Sequence, residues 1–370
     1  MKYYIIAGEA SGDLHGSNLM KALLKKDVNA NFRFWGGDLM QAVGGTLVKH
    51  YKERSFMGFV EVLKNLPKIF KDISLCKNDI EGYRPDVIIF IDNSGFNLRI
   101  AKWAKQKGFR TNYYISPQVW ASRAKRVYAI KRDIDAMYVI LPFEEAFYKT
   151  YGYDVTFVGH PLIDAISDRI QVDEYAFRKQ HLLNDNPIIA LLPGSRKQEI
   201  TKTLSVMLSL ADDYPTYQFV IAGAPSQDFE FYEPFISNPN VGFVNNKTYD
   251  LLSVSSAALV TSGTATLETA LFKVPQVVCY KGSNISYQIA KRIITLKYIS
   301  LVNLIMDKKV VTELIQNDFN TQQLKKELDI ILDDYERTNF FLNYYDLEKK
   351  LGGKGASDKT ASLIFKSLNA

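Results

Sequence analysis

The sequence is poor in the residues that build disulfide frameworks and metal centres. Its 370 residues include only two cysteines, Cys76 and Cys279, and four histidines. Two distant cysteines in a chain of this size exclude a disulfide framework. The histidines show no close spacing with cysteine or aspartate of the kind that binds a metal ion. We therefore expect neither a metal site nor a bound cofactor.

Long apolar segments and several nucleotide or nucleophile motifs are also missing. No stretch approaches the ~20 apolar residues that span a bilayer. The start, M-K-Y-Y-I-I-A-G-E, becomes polar too soon for a secretion signal. There is no P-loop, no G-x-G-x-x-G dinucleotide fingerprint and no G-x-S-x-G nucleophile turn. We expect a cytoplasmic protein that can still touch a membrane surface.

Acidic residues are missing from the forty residues between Asp92 and Asp133, which carry ten lysines and arginines. The whole chain has a formal net charge of +6. A basic balance favours an anionic partner such as nucleic acid, an anionic membrane or a phosphorylated substrate. A solvated helix face is the alternative interpretation of the basic stretch.

Short apolar runs alternate with helical patterns along the whole chain, which predicts an α/β fold with parallel sheets covered on both faces. The pattern restarts after a polar stretch, so we place a domain boundary between residues 160 and 186 and expect two Rossmann-like domains in tandem. The predicted strands are Tyr3–Ala7, Phe32–Trp35, Val87–Ile91, Thr111–Ile115, Met137–Leu141, Val155–Val158, Ile188–Leu192, Gln218–Ala222, Val241–Val244, Ala257–Thr261 and Gln276–Tyr280.

Two strand ends in the first half carry carboxylates, and ligands of open α/β sheets bind beyond such ends. The first strand is followed by G-E-A-S-G-D, which contains Glu9, Ser11 and Asp13. Two carboxylates there favour hydroxyl groups over phosphate, although an ordinary turn would look the same. Asp92 follows the strand Val87–Ile91 and is a candidate general base for an attacking hydroxyl group. A helix cap is the alternative role.

Two strand ends in the second half have the small residues of an anion site at a helix start. Leu192 is followed by Pro193, Gly194, Ser195 and Arg196, and the arginine offers a fork that suits phosphate oxygens. The segment Ser262-Gly263-Thr264 is a second candidate phosphate turn. Glu268 lies one helical turn after Thr264, where it can accept hydrogen bonds from ribose hydroxyls. Together these features indicate a nucleotide diphosphate site in the second domain.

The chain resembles the lipid-A-disaccharide synthases of Gram-negative bacteria through motifs that run from residue 8 to about residue 316. The matching segments are Gly8–Asp13, Met57-Gly58 with Glu61–Leu63, Asp92 with Phe96-Asn97, Ser116-Pro117 with Val119–Ala121, Lys125–Val127, Leu141–Glu144, Val158–His160, Leu191–Arg196, Ser262–Ala265 with Leu267-Glu268, and Tyr298–Leu301 with Asn303. Two positions depart from the usual pattern: Ser94 replaces a proline, and Ser122 replaces a tryptophan.

The resemblance implies two facing Rossmann-like domains of the GT-B type, with the last helix crossing back to the first domain. The expected domains are residues 1–165 plus about 345–370, and residues 166–344. It implies metal-independent, inverting transfer of 2,3-diacylglucosamine from UDP to 2,3-diacylglucosamine 1-phosphate (lipid X). Asp92 and Arg196 take the family's essential positions, with Glu9 or Asp13 as alternative bases. The remaining expected contacts are Gly194, Ser195, Ser262, Gly263, Thr264, Glu268 and Asn303 for UDP, and Ser11, Asp13, Asn97 and Met57 for the acceptor.

A basic amphipathic stretch between residues 56 and 73 predicts binding to a membrane surface, which the resemblance implies is the inner face of the inner membrane. Its membrane-facing residues would be Phe56, Phe59, Leu66 and Phe70, and Pro67 should bend the helix. A helix packed on the core would show the same apolar stripe. The remaining alternatives are a UDP-N-acetylglucosamine 2-epimerase of the same architecture and a nucleic-acid-binding module. The second lacks RNA-binding signatures, so we expect no nucleic acid. The sequence leaves a homodimer open.

Overall fold

The computed structural model describes residues 1–54, 66–282 and 297–369. The chain divides into two compact units. Unit 1 comprises Met1–Asp164 and Leu351–Ala370, and unit 2 comprises Ala165–Lys350. The boundary falls within a helix, Pro161–Ser167. Unit 2 is therefore inserted between two segments of unit 1.

Unit 1 contains a parallel sheet with the strand order β3-β2-β1-β4-β5-β6-β7. Its strands are β1 (Lys2–Ala7), β2 (Asn31–Gly36), β3 (Thr46–His50), β4 (Val87–Ile91), β5 (Thr111–Tyr114), β6 (Ala136–Val139) and β7 (Thr156–Phe157). Its helices up to the boundary are α1 (Ala10–Leu24), α2 (Asp38–Val43), α3 (Leu66–Tyr83), α4 (Ser94–Gln106), α5 (Val119–Ser122), α6 (Val127–Asp133), α7 (Glu144–Lys149) and α8 (Pro161–Ser167).

Unit 2 contains a second parallel sheet with the order β10-β9-β8-β11-β12-β13. Its strands are β8 (Ile188–Leu192), β9 (Gln218–Gly223), β10 (Val241–Asn245), β11 (Ser255–Thr261), β12 (Gln276–Tyr280) and β13 (Thr312–Ile315). Its helices are α9 (Glu174–Gln180), α10 (Lys197–Leu208), α11 (Phe229–Tyr232), α12 (Thr248–Ser253), α13 (Thr264–Leu271), α14 (Leu301–Met306), α15 (Thr321–Leu332) and α16 (Asp334–Lys350). Short 3-10 turns occupy Tyr51–Arg54, Ala124–Arg126, Ala211–Asp213 and Glu233–Phe235.

Each sheet is buried on both faces. Alternate side chains of a strand point to opposite sides, so the two sets of side chains of a central strand enter different cores. In β1, Tyr4 and Ile6 belong to the core on one face. Tyr3 and Ile5 belong to the core on the other face. This explains why the central strands are continuous apolar runs, and it confirms the predicted α/β class with parallel sheets.

The strand order reverses direction once in each sheet, between β1 and β4 in unit 1 and between β8 and β11 in unit 2. A crevice opens at such a switch point, beyond the carboxyl ends of the two strands. The loops that follow β1 and β4 contain Glu9 and Asp92, and those that follow β8 and β11 contain Arg196 and Ser262. The topology thus brings the predicted turns together in pairs.

The last helix, α17 (Ala356–Leu368), packs on unit 1 against α1. Its Ala361 and Ile364 are fully buried in the core that contains Tyr3 and Ile5. The carboxylate of Asp164 accepts hydrogen bonds from the backbone at the start of this helix, from Gly355 N at 2.7 Å and Ser357 N at 3.3 Å. The expected return of the last helix to the first domain is confirmed.

Candidate active site

Asp92 follows β4 directly, and its backbone adopts the left-handed conformation with φ 45°. Asn93 continues that conformation with φ 42°. Aspartate and asparagine tolerate this region better than other non-glycine residues, because their short polar side chains bond locally. The sharp turn keeps the side chain of Asp92 exposed at the end of the strand.

The carboxyl groups of Asp92 and Glu9 interact at this switch point. Desolvation raises the pKa of Asp92, the negative charge of Glu9 raises it further, and the resulting value is about 6. Asp92 is exposed as a residue, so the desolvation comes from protein atoms that displace part of the water around its carboxyl group. A carboxylate with a raised pKa is a stronger base and still ionised at neutral pH, which suits proton abstraction.

Three polar residues predicted for the acceptor side have different surroundings. Ser11 is exposed in the first turn of α1. Asp13 is buried, and its carboxylate accepts hydrogen bonds from the backbone N–H groups of Gly37, Leu39 and Met40 at 2.8 to 3.0 Å. Asn97 is fully buried and donates to backbone carbonyls, including that of Asp92 at 2.8 Å. Asp13 and Asn97 hold turns in place, and their contact with an acceptor stays a prediction.

Arg196 is the N-cap residue of α10, and its exposed guanidinium has no hydrogen-bond or ion-pair partner in the described part of unit 2. Gly194 precedes it with φ 103°, a conformation that favours glycine. A Cβ atom on Gly194 would lie 2.5 Å from Oε2 of Glu199, so the glutamate packs directly over the glycine. Glu199 was not among the predicted residues, since only the folded turn brings it there.

The second predicted phosphate turn joins β11 to α13, which begins at Thr264. Ser262 donates a hydrogen bond to the carbonyl of Ile299 at 3.0 Å, and Gly263 and Thr264 are exposed. Glu268 lies one turn into the helix and accepts a 2.7 Å hydrogen bond from the hydroxyl of Tyr249. Desolvation raises the pKa of Glu268. Tyr249 was missed because it comes from the preceding helix, α12.

Asn303 is fully buried, and both ends of its amide have partners. Its Nδ2 donates to the carbonyl of Val311 and to Glu313 at 2.9 Å each, and its Oδ1 accepts from Val310 and Val311 N–H. Glu313 also accepts from the N–H groups of Ile299 and Ser300. Asn303 and Glu313 therefore fix the segment that bonds to Ser262, and a direct contact of Asn303 with a nucleotide stays a prediction.

Glu144 is a buried carboxyl group that the sequence did not single out as a site residue. It accepts hydrogen bonds from the hydroxyl of Ser116 and from the backbone N–H groups of Ile140 and Leu141. Desolvation raises the pKa of Glu144 to about 7, although these hydrogen bonds act in the opposite direction. The group connects the loops that follow β5 and β6, at the same sheet edge as Asp92.

Most of the predicted membrane-facing residues lie outside the described part of the chain. Phe56, Met57 and Phe59 lie outside the described residues, as does the side chain of Leu66. Pro67 lies in the first turn of the described part of α3, and the bend expected at Pro67 stays a prediction. Ile73 is buried in the core and Ile69 packs against it, whereas Phe70 is 59% exposed. This part of the stripe thus combines core packing with one exposed ring.

The described ranges contain no helix with the length and apolar character needed to cross a bilayer. In residues 1–54, 66–282 and 297–369, no three histidine, cysteine, aspartate or glutamate side chains are grouped as metal ligands. Both cysteines are buried, and neither forms a disulfide bond with a described residue.

A family model described as lipid-A-disaccharide synthetase matches residues 3–363. The chain is 39% identical over 373 residues to the lipid-A-disaccharide synthase of Geobacter metallireducens, covering 98% of this chain and 96% of the relative. It is 34% identical over 365 residues to the enzyme of the same name from Coxiella burnetii, covering 97% and 96% of the two chains. These matches extend over nearly the whole length of both partners.

Solved structures share the fold at much lower identity. A putative UDP-N-acetylglucosamine 2-epimerase from Listeria monocytogenes has a TM-score of 0.69 at 12% identity, covering 100% of this chain and 96% of that one. The glycotransferase of kitacinnamycin has a TM-score of 0.66 at 12% identity, covering 99% and 98%. These likenesses show the GT-B fold, while the sequence matches separate the chain from the epimerases. The chain belongs to the lipid-A-disaccharide synthetase family and is a glycosyltransferase of lipid A biosynthesis.

Proposed function

We propose that the protein is an inverting glycosyltransferase that joins UDP-2,3-diacylglucosamine to lipid X. The 6-hydroxyl oxygen of lipid X attacks the anomeric carbon of the donor sugar from the face opposite UDP. The bond between that carbon and the UDP oxygen breaks, and Asp92 receives the hydroxyl proton. The products are the β-1,6-linked disaccharide 1-phosphate and UDP.

The observation that carries this proposal is the exposed, high-pKa carboxyl group of Asp92 at the switch point of unit 1. A general base needs a carboxylate that is ionised at working pH and open to an incoming hydroxyl group. Among the residues predicted to act there, Asp13 has its carboxylate engaged by three backbone N–H groups. Glu9 is exposed and remains the alternative base.

Unit 2 offers the features that a leaving diphosphate requires. The unpaired guanidinium of Arg196 lies at the start of α10, and the start of α13 follows the neighbouring strand. Backbone N–H groups and helix dipoles at such positions favour anions, and a guanidinium stabilises the charge that develops on departure. A UDP-N-acetylglucosamine 2-epimerase from Neisseria meningitidis with the same fold was solved bound to UDP-GlcNAc, which supports a UDP-sugar in this protein as well.

The test is transfer activity of Asp92→Asn with the UDP-linked diacyl sugar and the monosaccharide 1-phosphate, with the disaccharide detected by mass. We expect turnover to fall by about 10²–10⁴-fold with little change in UDP affinity. Asp154→Asn, at an exposed acidic position of the same unit, is the matched control. Near-normal turnover of Asp92→Asn would remove it as the base.

We further propose peripheral binding to the anionic inner face of the inner membrane. Both substrates carry acyl chains, and Arg123, Lys125 and Arg126 are exposed without acidic partners in the described part of the chain. The neighbouring ring of Tyr128 is 64% exposed. Such a basic and aromatic surface gains about 1 kcal/mol per basic residue near anionic lipid.

Flotation with anionic liposomes tests the membrane proposal. Lys125→Ala/Arg126→Ala should weaken binding, and salt should weaken wild-type binding, because the attraction is screened. Lys308→Ala/Lys309→Ala removes two exposed charges from unit 2 and serves as the charge-matched control. Equal binding of the three proteins, unchanged from low to high salt, would contradict an electrostatic membrane surface here.

A further inference from the structure

We propose that Tyr113 is a positioning residue for the transfer reaction, because its hydroxyl group and the amide of Asn97 fix the backbone of Asp92. The inference rests on the proposed role of Asp92 as base. It concerns a side chain that is fully buried and that lies outside every predicted motif.

The backbone at Asp92 is held in an unfavourable conformation. Asp92 and Asn93 are consecutive non-glycine residues with φ 45° and φ 42°. Left-handed conformations of this kind persist only where the surroundings impose them. The side chain of Asn93 is also confined, since a Cβ on Gly8 would lie 1.8 Å from its Nδ2. The direction of the Asp92 carboxyl group therefore depends on what holds this turn.

The carbonyl oxygen of Asp92 accepts two side-chain hydrogen bonds. Asn97 donates from Nδ2 at 2.8 Å, and Tyr113 donates from its hydroxyl group. The same Nδ2 lies 3.1 Å from the carbonyl of Ile91 and 3.4 Å from that of Ile6, so Asn97 also joins the ends of β4 and β1. The two donors clamp the peptide group between Asp92 and Asn93.

Tyr113 reaches this carbonyl from the neighbouring strand β5. It pairs in register with Phe90 of β4, and the two ring centroids are 5.8 Å apart. Tyr113 is fully buried in this core, and its hydroxyl group reaches the Asp92 carbonyl just beyond the end of β4. Removing the hydroxyl would free the peptide group to relax toward common backbone angles, and the carboxyl group would move with it.

The experiment compares Tyr113→Phe with Tyr153→Phe. Tyr153 is the matched control, because its buried hydroxyl donates to the backbone carbonyl of Ile134 at 3.1 Å. Ile134 precedes β6, whereas Asp92 follows β4, so the two carbonyls lie at opposite ends of parallel strands. We expect Tyr113→Phe to lower kcat by about tenfold with KM within about twofold, as misplacement of a catalytic group does. Both variants should lose similar thermal stability, and Tyr153→Phe should keep the wild-type kcat.

A double variant separates positioning from general stability. If Tyr113 acts through Asp92, the hydroxyl has no further effect on kcat once Asp92→Asn has removed the base. Additive losses in Asp92→Asn/Tyr113→Phe, or a wild-type kcat in Tyr113→Phe, would overturn the inference. Asn97→Ser shortens the other donor and should lower kcat with KM for lipid X within about twofold, whereas loss of an acceptor contact would raise that KM; this keeps the proposal testable if Tyr113→Phe folds poorly.

The two proposals fail in different ways. If Asp92→Asn retains near-normal turnover, the assignment of the base is wrong and the role of Tyr113 falls with it. If Asp92→Asn is nearly inactive while Tyr113→Phe matches Tyr153→Phe, the base stands and only the positioning role is wrong.

Discussion

Glu9 and Asp92 place two carboxyl groups within electrostatic reach of each other at the ends of the paired strands β1 and β4. Desolvation raises the pKa of Asp92, and the charge of Glu9 adds to it, giving a value of about 6. A base with this pKa loses activity as it gains a proton. The acid limb of kcat/KM for the wild-type protein should therefore fall with an apparent pKa near 6.

Replacing Glu9 by glutamine removes the negative charge beside Asp92. The pKa of Asp92 should then fall, so the acid limb of the pH profile should move to lower pH while substantial activity remains. The measurement is kcat/KM between pH 4.5 and 8. An inactive Glu9→Gln variant with wild-type stability would instead identify Glu9 as the base.

The guanidinium of Arg196 should supply much of the affinity for UDP. Removing it in Arg196→Ala should weaken UDP binding by about 10–100-fold, the range for a hydrogen bond to a charged group. Calorimetric titration with UDP measures this directly. Lys197→Ala is the control, since the Lys197 ammonium lies over the ring of Phe231, 5.6 Å from its centroid. Equal losses in the two variants would point to general attraction rather than to a specific contact.

Replacing Gly194 by alanine would destabilise the turn in two ways. The φ of 103° is unfavourable for alanine, and the new Cβ atom would clash with the Glu199 carboxylate. Gly194→Ala should lower the free energy of unfolding by about 1–3 kcal/mol and weaken UDP binding, because the turn must shift. Gly194→Ala/Glu199→Ala removes the contact but keeps the strained backbone, so it should recover part of the stability. Chemical denaturation measures both. No recovery would show that φ alone decides the cost.

The buried carboxyl group of Glu144 makes stability depend on pH. Its folded-state pKa of about 7 exceeds the usual glutamate value of 4.5, so folding favours the protonated form and stability falls as pH rises through 7. Glu144→Gln removes this loss. Relative to wild type, the variant should gain about 1–3 kcal/mol between pH 4.5 and pH 8 in denaturation experiments. Glu230→Gln, at an exposed position, is the control and should show no such gain.

The sequence predicted the central strands well and missed two edge strands. Strands such as β4 and β8 are buried on both faces and are continuous apolar runs. The missed strands, β3 and β13, lie at the edges of their sheets, and most of their residues are only partly buried. Their sequences, T-L-V-K-H and T-E-L-I, mix polar and apolar residues, so composition alone does not separate them from loops.

The positions of the turns followed from the strand ends, but the partners of their side chains did not. Asp13 lies in the G-E-A-S-G-D segment, and its partners lie at the start of α2, more than twenty residues away. The side-chain partner of Asn303 is Glu313 on the missed strand β13. Whether a polar side chain is engaged in hydrogen bonds within the protein depends on contacts between residues that are distant in the sequence. The spacing of residues along the sequence does not reveal these contacts.

The return of α17 to unit 1 sets an order of events during synthesis. Ala361 and Ile364 complete a core that begins with Tyr3, yet they are synthesised after all of unit 2. Unit 2 is continuous in the chain and can finish folding while unit 1 still waits for its final helix. A nascent chain stopped before residue 351 would therefore expose the part of this core that Ala361 and Ile364 cover, and unit 1 would be the unfinished half.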